Sequence, residues 1–138
     1  MAVQLSDAVR NAMAQARETT VGTAPTLNIY SGAPPANCAA ARTGTLLASM
    51  TLPSDWASAP TAGVAGLLGT WQDLVADATG TAGYYSVMAG AVCHEQGTVS
   101  QNTANGGTGD IRLQQATAQI TAGQEVRISA YDFTQGGA

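Results

Sequence analysis

The sequence predicts a mainly β domain: a sandwich or barrel-like roll of about seven or eight short strands, preceded by one α-helix. Three observations lead there. Only the first twenty or so residues repeat their apolar side chains at three- and four-residue spacing. Beyond residue 22, short alternating segments are broken by glycine-rich turns. The length, 138 residues, suits one compact domain. Residues 1–138 are therefore taken as a single unit, with a helical segment at 1–22 and the β part at 23–138.

The helix is predicted near residues 7–20. Ser6 is a suitable N-cap, and Asp7 places negative charge at the positive end of the helix dipole. Leu5, Val9, Ala12, Met13 and Ala16 then form an apolar stripe, while Arg10, Gln15, Arg17 and Glu18 fall mostly elsewhere. Thr19, Thr20 and Val21 are poor helix formers and Gly22 is a natural stop. The stripe can pack on its own sheet or reach towards a neighbour. Leu5, Val9 and Met13 are its candidate contact residues.

Strands are expected at TLNIYSG (26–32), TLLASMTL (45–52), TWQDLVA (70–76), AGYYSVMA (82–89), VCHEQGTVS (92–100), DIRLQQA (110–116) and QEVRISAYDF (124–133). In the second, Leu46, Ala48, Met50 and Leu52 share one face; in the last, Val126, Ile128 and Ala130 alternate with Glu125, Arg127 and Ser129. Two loops stand out. Residues 53–69 exceed a typical connection and carry Trp56, Leu67 and Leu68. Residues 100–109 have no large apolar side chain and read as a mobile tip.

Composition limits the function classes. Five Arg, no Lys and nine acids give a net charge of −4, and the arginines are scattered. Binding to phosphates needs clustered cations, so a nucleic-acid partner is not expected. The 23 Leu, Ile, Val and Phe residues, against 27 Ala and 16 Gly, imply a thin core that gains from association. No apolar run is long enough to span a membrane, and the N-terminus lacks the order of a secretory signal. With two cysteines only, both thiols are expected to be reduced.

Candidate chemistry is sparse. Cys38 lies in a proline-stiffened loop without a base beside it, so an inert thiol is the expectation. Cys93, His94 and Glu95 are consecutive in a strand pattern, which sends neighbours to opposite faces. Two separated Cys and one His lack zinc-ligand spacing. NGGTGD (105–110) is a turn signal without the Lys or following helix of a phosphate-binding loop. Asp73 and Asp77 read as surface carboxylates. No catalytic residue, metal or cofactor is expected.

The ordered segments LSDAVRNAM, PTLNIYSGAPP, GTLLASMTLP, DATGTAGYY, EQGTVS and AGQEVRISAYDF resemble a group of small tailed-bacteriophage virion proteins. Among these the chain is most similar to the jelly-roll cement, or decoration, proteins that bind the outside of the capsid. The resemblance covers nearly the whole chain and rests on turns and strand starts. It implies a jelly-roll-like antiparallel β-sandwich without enzymatic activity. The implied partners are the major capsid protein and further copies of the chain, as a dimer or trimer, with neither nucleic acid nor membrane. The implied location is the outer capsid surface, after synthesis in the host cytoplasm. Trp56, Leu67 and Leu68 are the candidate capsid anchors, since Trp is enriched among dominant interface residues. A head–tail connector, a tail or fibre component, and a glycan-binding fibre module are the alternatives.

Overall fold

The Ser6 hydroxyl accepts a hydrogen bond from the Val9 N–H at 3.3 Å and opens helix α1, Asp7–Val21. Gly22, at φ +94°, closes it and donates its N–H to the Glu18 carbonyl at 3.0 Å. The computed structural model describes residues 3–137. Nine strands follow α1: β1 Thr26–Ser31, β2 Leu46–Thr51, β3 Val64–Gly66, β4 Gln72–Asp73, β5 Gly80–Ala89, β6 Val92–Ser100, β7 Ile111–Leu113, β8 Gln119–Ile120 and β9 Val126–Thr134. The protein is mainly β, a curled mixed sheet forming a half-barrel with one N-terminal helix, consistent with a jelly-roll-like fold.

The sheet runs β2-β1-β5-β6-β7-β9-β3, with β4 on β9 and β8 on β5. Every pairing is antiparallel except β6 with β7, which is parallel. The purely antiparallel expectation fails there because residues 101–110 carry the chain back before β7 begins. That segment is an ordered turn: Asn102 caps a short 3-10 helix, Thr103–Asn105, and Gly106 ends it in the left-handed region. Segment 72–78 ties β9 to β2 and curls the sheet. β4 pairs with β9, the Asp73 carboxylate accepts from the Ser49 N–H at 3.0 Å, and the Asp77 N–H donates to the Leu47 carbonyl at 2.8 Å.

Three bulges set which side chains point inward, because an extra residue reverses strand alternation. In β2 the register steps over Leu47, so Leu46 pairs with Tyr30 on the outside while Leu47 and Ala48 are buried. In β6 it steps over His94, which puts Glu95 opposite Val87 on the inner face and Cys93 opposite Met88 on the outer one. In β9 it steps over Ser129, so Tyr131 rather than Ala130 continues the inner row of Ile128. Leu27, Ile29, Leu47, Trp56, Trp71, Val87, Ile111, Leu113, Ile120 and Val126 fill the interior.

Helix α1 meets this shell with Arg10, Ala14, Arg17 and Val21. Arg10 Nε donates to the Gln135 carbonyl at 3.0 Å, and the Asn11 side chain accepts from the Gly63 N–H at 2.8 Å. The apolar stripe is on the other side. Val9 and Met13 are 45% and 43% exposed, and Ala8, Ala12 and Ala16 are exposed with them.

The expectation of two reduced thiols is corrected: Cys38 and Cys93 form a disulfide, with Cα atoms 5.3 Å apart. The His94 bulge is the reason, since it turns Cys93 outward beneath the loop that follows β1. The same loop is held by Arg42, which donates to Gln96 at 2.9 Å and to three backbone carbonyls, Asn37, Cys38 and Ala40. Tyr84, stacked on Tyr30 at 5.0 Å, donates its hydroxyl to the Thr43 carbonyl and accepts from the Thr43 N–H.

Candidate functional site

The densest polar cluster lies where β6 and β9 diverge. β7 pairs with β6 only from Val99 onward and with β9 only as far as Tyr131, so β7 does not separate Glu95 from the Tyr131 side chain. Helix α1 fills the opening with Arg17. Its Nη1 donates to Glu95 Oε1 at 2.6 Å and to the Tyr131 hydroxyl. Tyr131 donates to the Glu95 carboxylate, with separations of 2.9 and 3.1 Å to its two oxygens, and Tyr85 donates to Oε2 at 2.7 Å. Gly97 opposite Tyr85 makes this possible: a Cβ there would meet the Tyr85 ring at 2.7 Å and Asp110 at 2.8 Å.

Arg17 Nε and Nη2 have no hydrogen-bond partner among the described residues. Aromatic faces surround the guanidinium instead: Phe133 at 4.0 Å, Trp56 at 5.2 Å and Tyr131 at 5.5 Å to the ring centres. Trp56, Trp71 and Tyr131 pack with centroid separations of 5.1 to 6.5 Å. Burial pushes the Tyr85 hydroxyl well above the ordinary tyrosine range, and the Glu95 charge adds to the rise. Tyr131 is raised for the same two reasons, with Arg17 opposing. Both hydroxyls therefore remain donors. Glu95, meeting three donor groups, has little acceptor capacity left for a ligand. The arrangement is a lock between helix, β6 and β9, beside a cavity of about 190 Å³ lined by Tyr85, Glu95, Asp110, Tyr131, Asp132 and Phe133.

Two other concavities are open grooves. One of about 380 Å³ is bordered by Gln114, Gln115, Glu125 and Arg127. The other, about 270 Å³, includes Gln15, Glu18, Thr19 and Ser54. Burial raises the Glu18 pKa above the usual carboxylate value, and the neighbouring Asp55 carboxylate raises it further. Among the described residues, no three His, Cys, Asp or Glu side chains come together as a metal-binding group.

The sequence-based candidates separate. Trp56 is 0% exposed and donates its Nε1–H to the Gly22 carbonyl at 3.0 Å, so it is a core residue closing the helix end and is not offered to a partner. Its loop folds back because Ala57 bridges Leu67 and the Leu68 N–H donates to the Trp56 carbonyl at 3.1 Å. Leu67 is half-buried in that hairpin, and Leu68 is exposed. Leu5 is half-buried, its N–H bonded to the Gly137 carbonyl, while Val9 and Met13 stand in solvent. Sequence reasoning missed Arg17, Glu95, Tyr85 and Tyr131 as one cluster. It also missed Leu74 and Val75, 62% and 65% exposed on a turn held by Asp73, whose Oδ1 accepts from the Val75 N–H at 3.0 Å. No family model, curated protein or solved structure matches the chain.

Proposed function

We propose that this protein is a structural component of a tailed-bacteriophage virion that binds the outer capsid surface and stabilises the shell as a cement protein. The observation that carries this reading is Leu74–Val75. A chain with few large aliphatic residues holds two of them in solvent, on a turn whose backbone is fixed from both sides by Asp73. Such residues suit a preorganised contact, which loses little entropy when a partner covers it. Leu68 offers a third exposed apolar side chain for that contact. With Trp56 in the core, the capsid contact is assigned to Leu68, Leu74 and Val75.

Charge supports the same reading. Arg10, Arg17, Arg42 and Arg112 each bond to groups of their own chain, so they present no cationic track for phosphates. The Cys38–Cys93 disulfide suits a particle that spends time in oxidising surroundings outside a cell. A cement protein covering junctions between capsid subunits binds only the assembled shell, and so favours it by mass action. The test uses shells prepared without the protein. Added back, it should occupy the outer surface and raise the temperature of genome release. Absence of binding to intact shells, or labelling confined to the tail, overturns the proposal.

A further inference from the structure

We propose that the Cys38–Cys93 disulfide is the latch of a redox-operated strap, residues 33–42. Reduction lets the strap lift and uncovers a polar face at Asn28, Ser86 and Gln96, while the rest of the fold persists. The inference concerns the chain itself and is independent of the capsid reading.

The strap connects β1 to β2 across the outer side of the sheet. Gly32 and Gly44, in the left-handed region at φ +83° and +75°, bound it. Between them stand five alanines and two prolines with Asn37, Cys38 and Arg42, and no larger aliphatic side chain. Most of these residues are exposed, so the segment has little apolar surface to hold it down. Two side chains of the sheet fasten its ends. Tyr84 exchanges two hydrogen bonds with Thr43, and the Gln96 amide accepts from Arg42 and donates to the Pro35 carbonyl at 2.8 Å. The other Arg42 bonds go to carbonyls of the strap itself, which shape it without tying it to the sheet. Among the described residues, the stretch 36–41 is tied to the sheet by Cys38 alone.

What lies beneath opposes closure. Ser86 is on the outer face of β5, across from Asn28 of β1 and Gln96 of β6. It is 0% exposed, and neither its hydroxyl nor Asn28 Oδ1 has a hydrogen-bond partner among the described residues. Buried polar atoms without partners are uncommon, and each forgoes the hydration that it regains in water. The covalent bond therefore holds a weakly fastened segment over atoms that solvent would satisfy, the condition for local opening once the bond is gone. Both cysteines are only half-buried, which leaves the bond open to a small dithiol. The first thiolate of the dithiol attacks one sulfur and forms a mixed disulfide, and its second thiolate displaces the protein sulfur. Two electrons and two protons pass to Cys38 and Cys93, which end as thiols, and the dithiol ends as a disulfide.

The experiment is limited proteolysis of the full chain by trypsin, with and without prior reduction by dithiothreitol. The chain has no lysine, and of its five arginines only Arg42 lies outside helix and strand. Cleavage after Arg42 should be at least ~10-fold faster in the reduced protein, because the rate follows the open population. Arg10, Arg17, Arg112 and Arg127 should stay uncut, with the circular dichroism unchanged. The double variant Cys38→Ser, Cys93→Ser should be cut at the reduced rate whether or not the dithiol is present. Ser86→Ala removes one unpaired atom from the closed state, so its reduced form should be cut at least about 5-fold more slowly than the reduced parent. Equal cutting after Arg42 in both redox states overturns the proposal. So does cutting at all five arginines together on reduction, which is global unfolding, or a reduced-state rate that Ser86→Ala leaves unmoved. Failure of the protein to bind shells would leave this result standing.

Discussion

The guanidinium of Arg17 and the carboxylate of Glu95 meet at 2.6 Å, and both side chains are largely withdrawn from solvent. This contact joins the helix to a strand 78 residues away in sequence. Removing one charge of such a pair leaves the other withdrawn from solvent without its partner. Arg17→Met, which keeps the aliphatic stem, should cost about 3–5 kcal/mol. Adding Glu95→Gln should recover part of that loss, because the neutral amide still accepts from Tyr85 and Tyr131. Urea denaturation of the two single variants and the double variant measures the coupling. Strict additivity would mean that the pair does not act as a unit.

Gly97 bears on the same cluster through space. Its missing side chain makes room for the Tyr85 ring, itself buried and tied to Glu95. Gly97→Ala should therefore destabilise the protein by about 1–3 kcal/mol, the usual cost of overpacking a filled interior. Thermal melting gives the size. Gly136→Ala is the comparison, since a Cβ there meets nothing within 4 Å.

The disulfide closes a loop between residues 55 apart in sequence. Loop closure of that length is worth roughly 4 kcal/mol in the chain-entropy picture and commonly 2–4 in practice. Cys93→Ser should lower stability by about that amount. A reducing agent should lower the melting temperature of the parent and leave that of the variant unmoved. An equal response in both would show that the bond is absent from the folded protein in solution.

Glu18 gives the pH dependence a direction. Its folded-state pKa is raised above the ordinary 4.5, so the folded chain binds this proton more tightly than the unfolded chain does. The associated stability is present below the ordinary value and is lost as pH rises through the raised one. Glu18→Gln should remove that loss. Its melting temperature should match the parent in acid and exceed it at neutral pH. The difference should be a fraction of a kcal/mol, since the group is only partly covered and is screened by the solvent it still touches. Melting curves across this window decide the sign.

The helix with both its caps and all seven of the expected strand segments were legible because each is coded locally, by a capping residue, a period or a turn glycine. The small strands β3 and β8 were not, being held by one partner strand each with little apolar pattern of their own. The cluster at Glu95 escaped for a different reason. The bulges at His94 and Ser129 reverse strand alternation just before Glu95 and Tyr131, so simple parity assigns the wrong neighbours. The disulfide follows from the same bulge at His94. The helix stripe was visible, but its orientation depends on Arg17 finding Glu95, a contact that local sequence does not encode.

Trp56 and Leu74 separate fold from surface in one comparison. Trp56 is enclosed by Trp71, Tyr131 and Arg17 and bonded to Gly22, so its removal empties the place where helix, loop and β9 converge. Trp56→Ala should cost about 3–5 kcal/mol. Trp56→Phe, which keeps most of the volume but leaves the Gly22 carbonyl without its donor, should cost about 1–3. Leu74→Ser, at a position already in solvent, should stay within about 0.5 kcal/mol of the parent. Equilibrium unfolding ranks the three, and shell occupancy should rank them differently. Leu74→Ser is expected to reduce occupancy at unchanged stability, whereas Trp56→Phe, wherever it remains folded, is expected to bind as the parent does. A folded Trp56→Phe protein that no longer bound shells would move the contact to the Trp56 loop, and a Leu74→Ser protein with full occupancy would remove Leu74 from it.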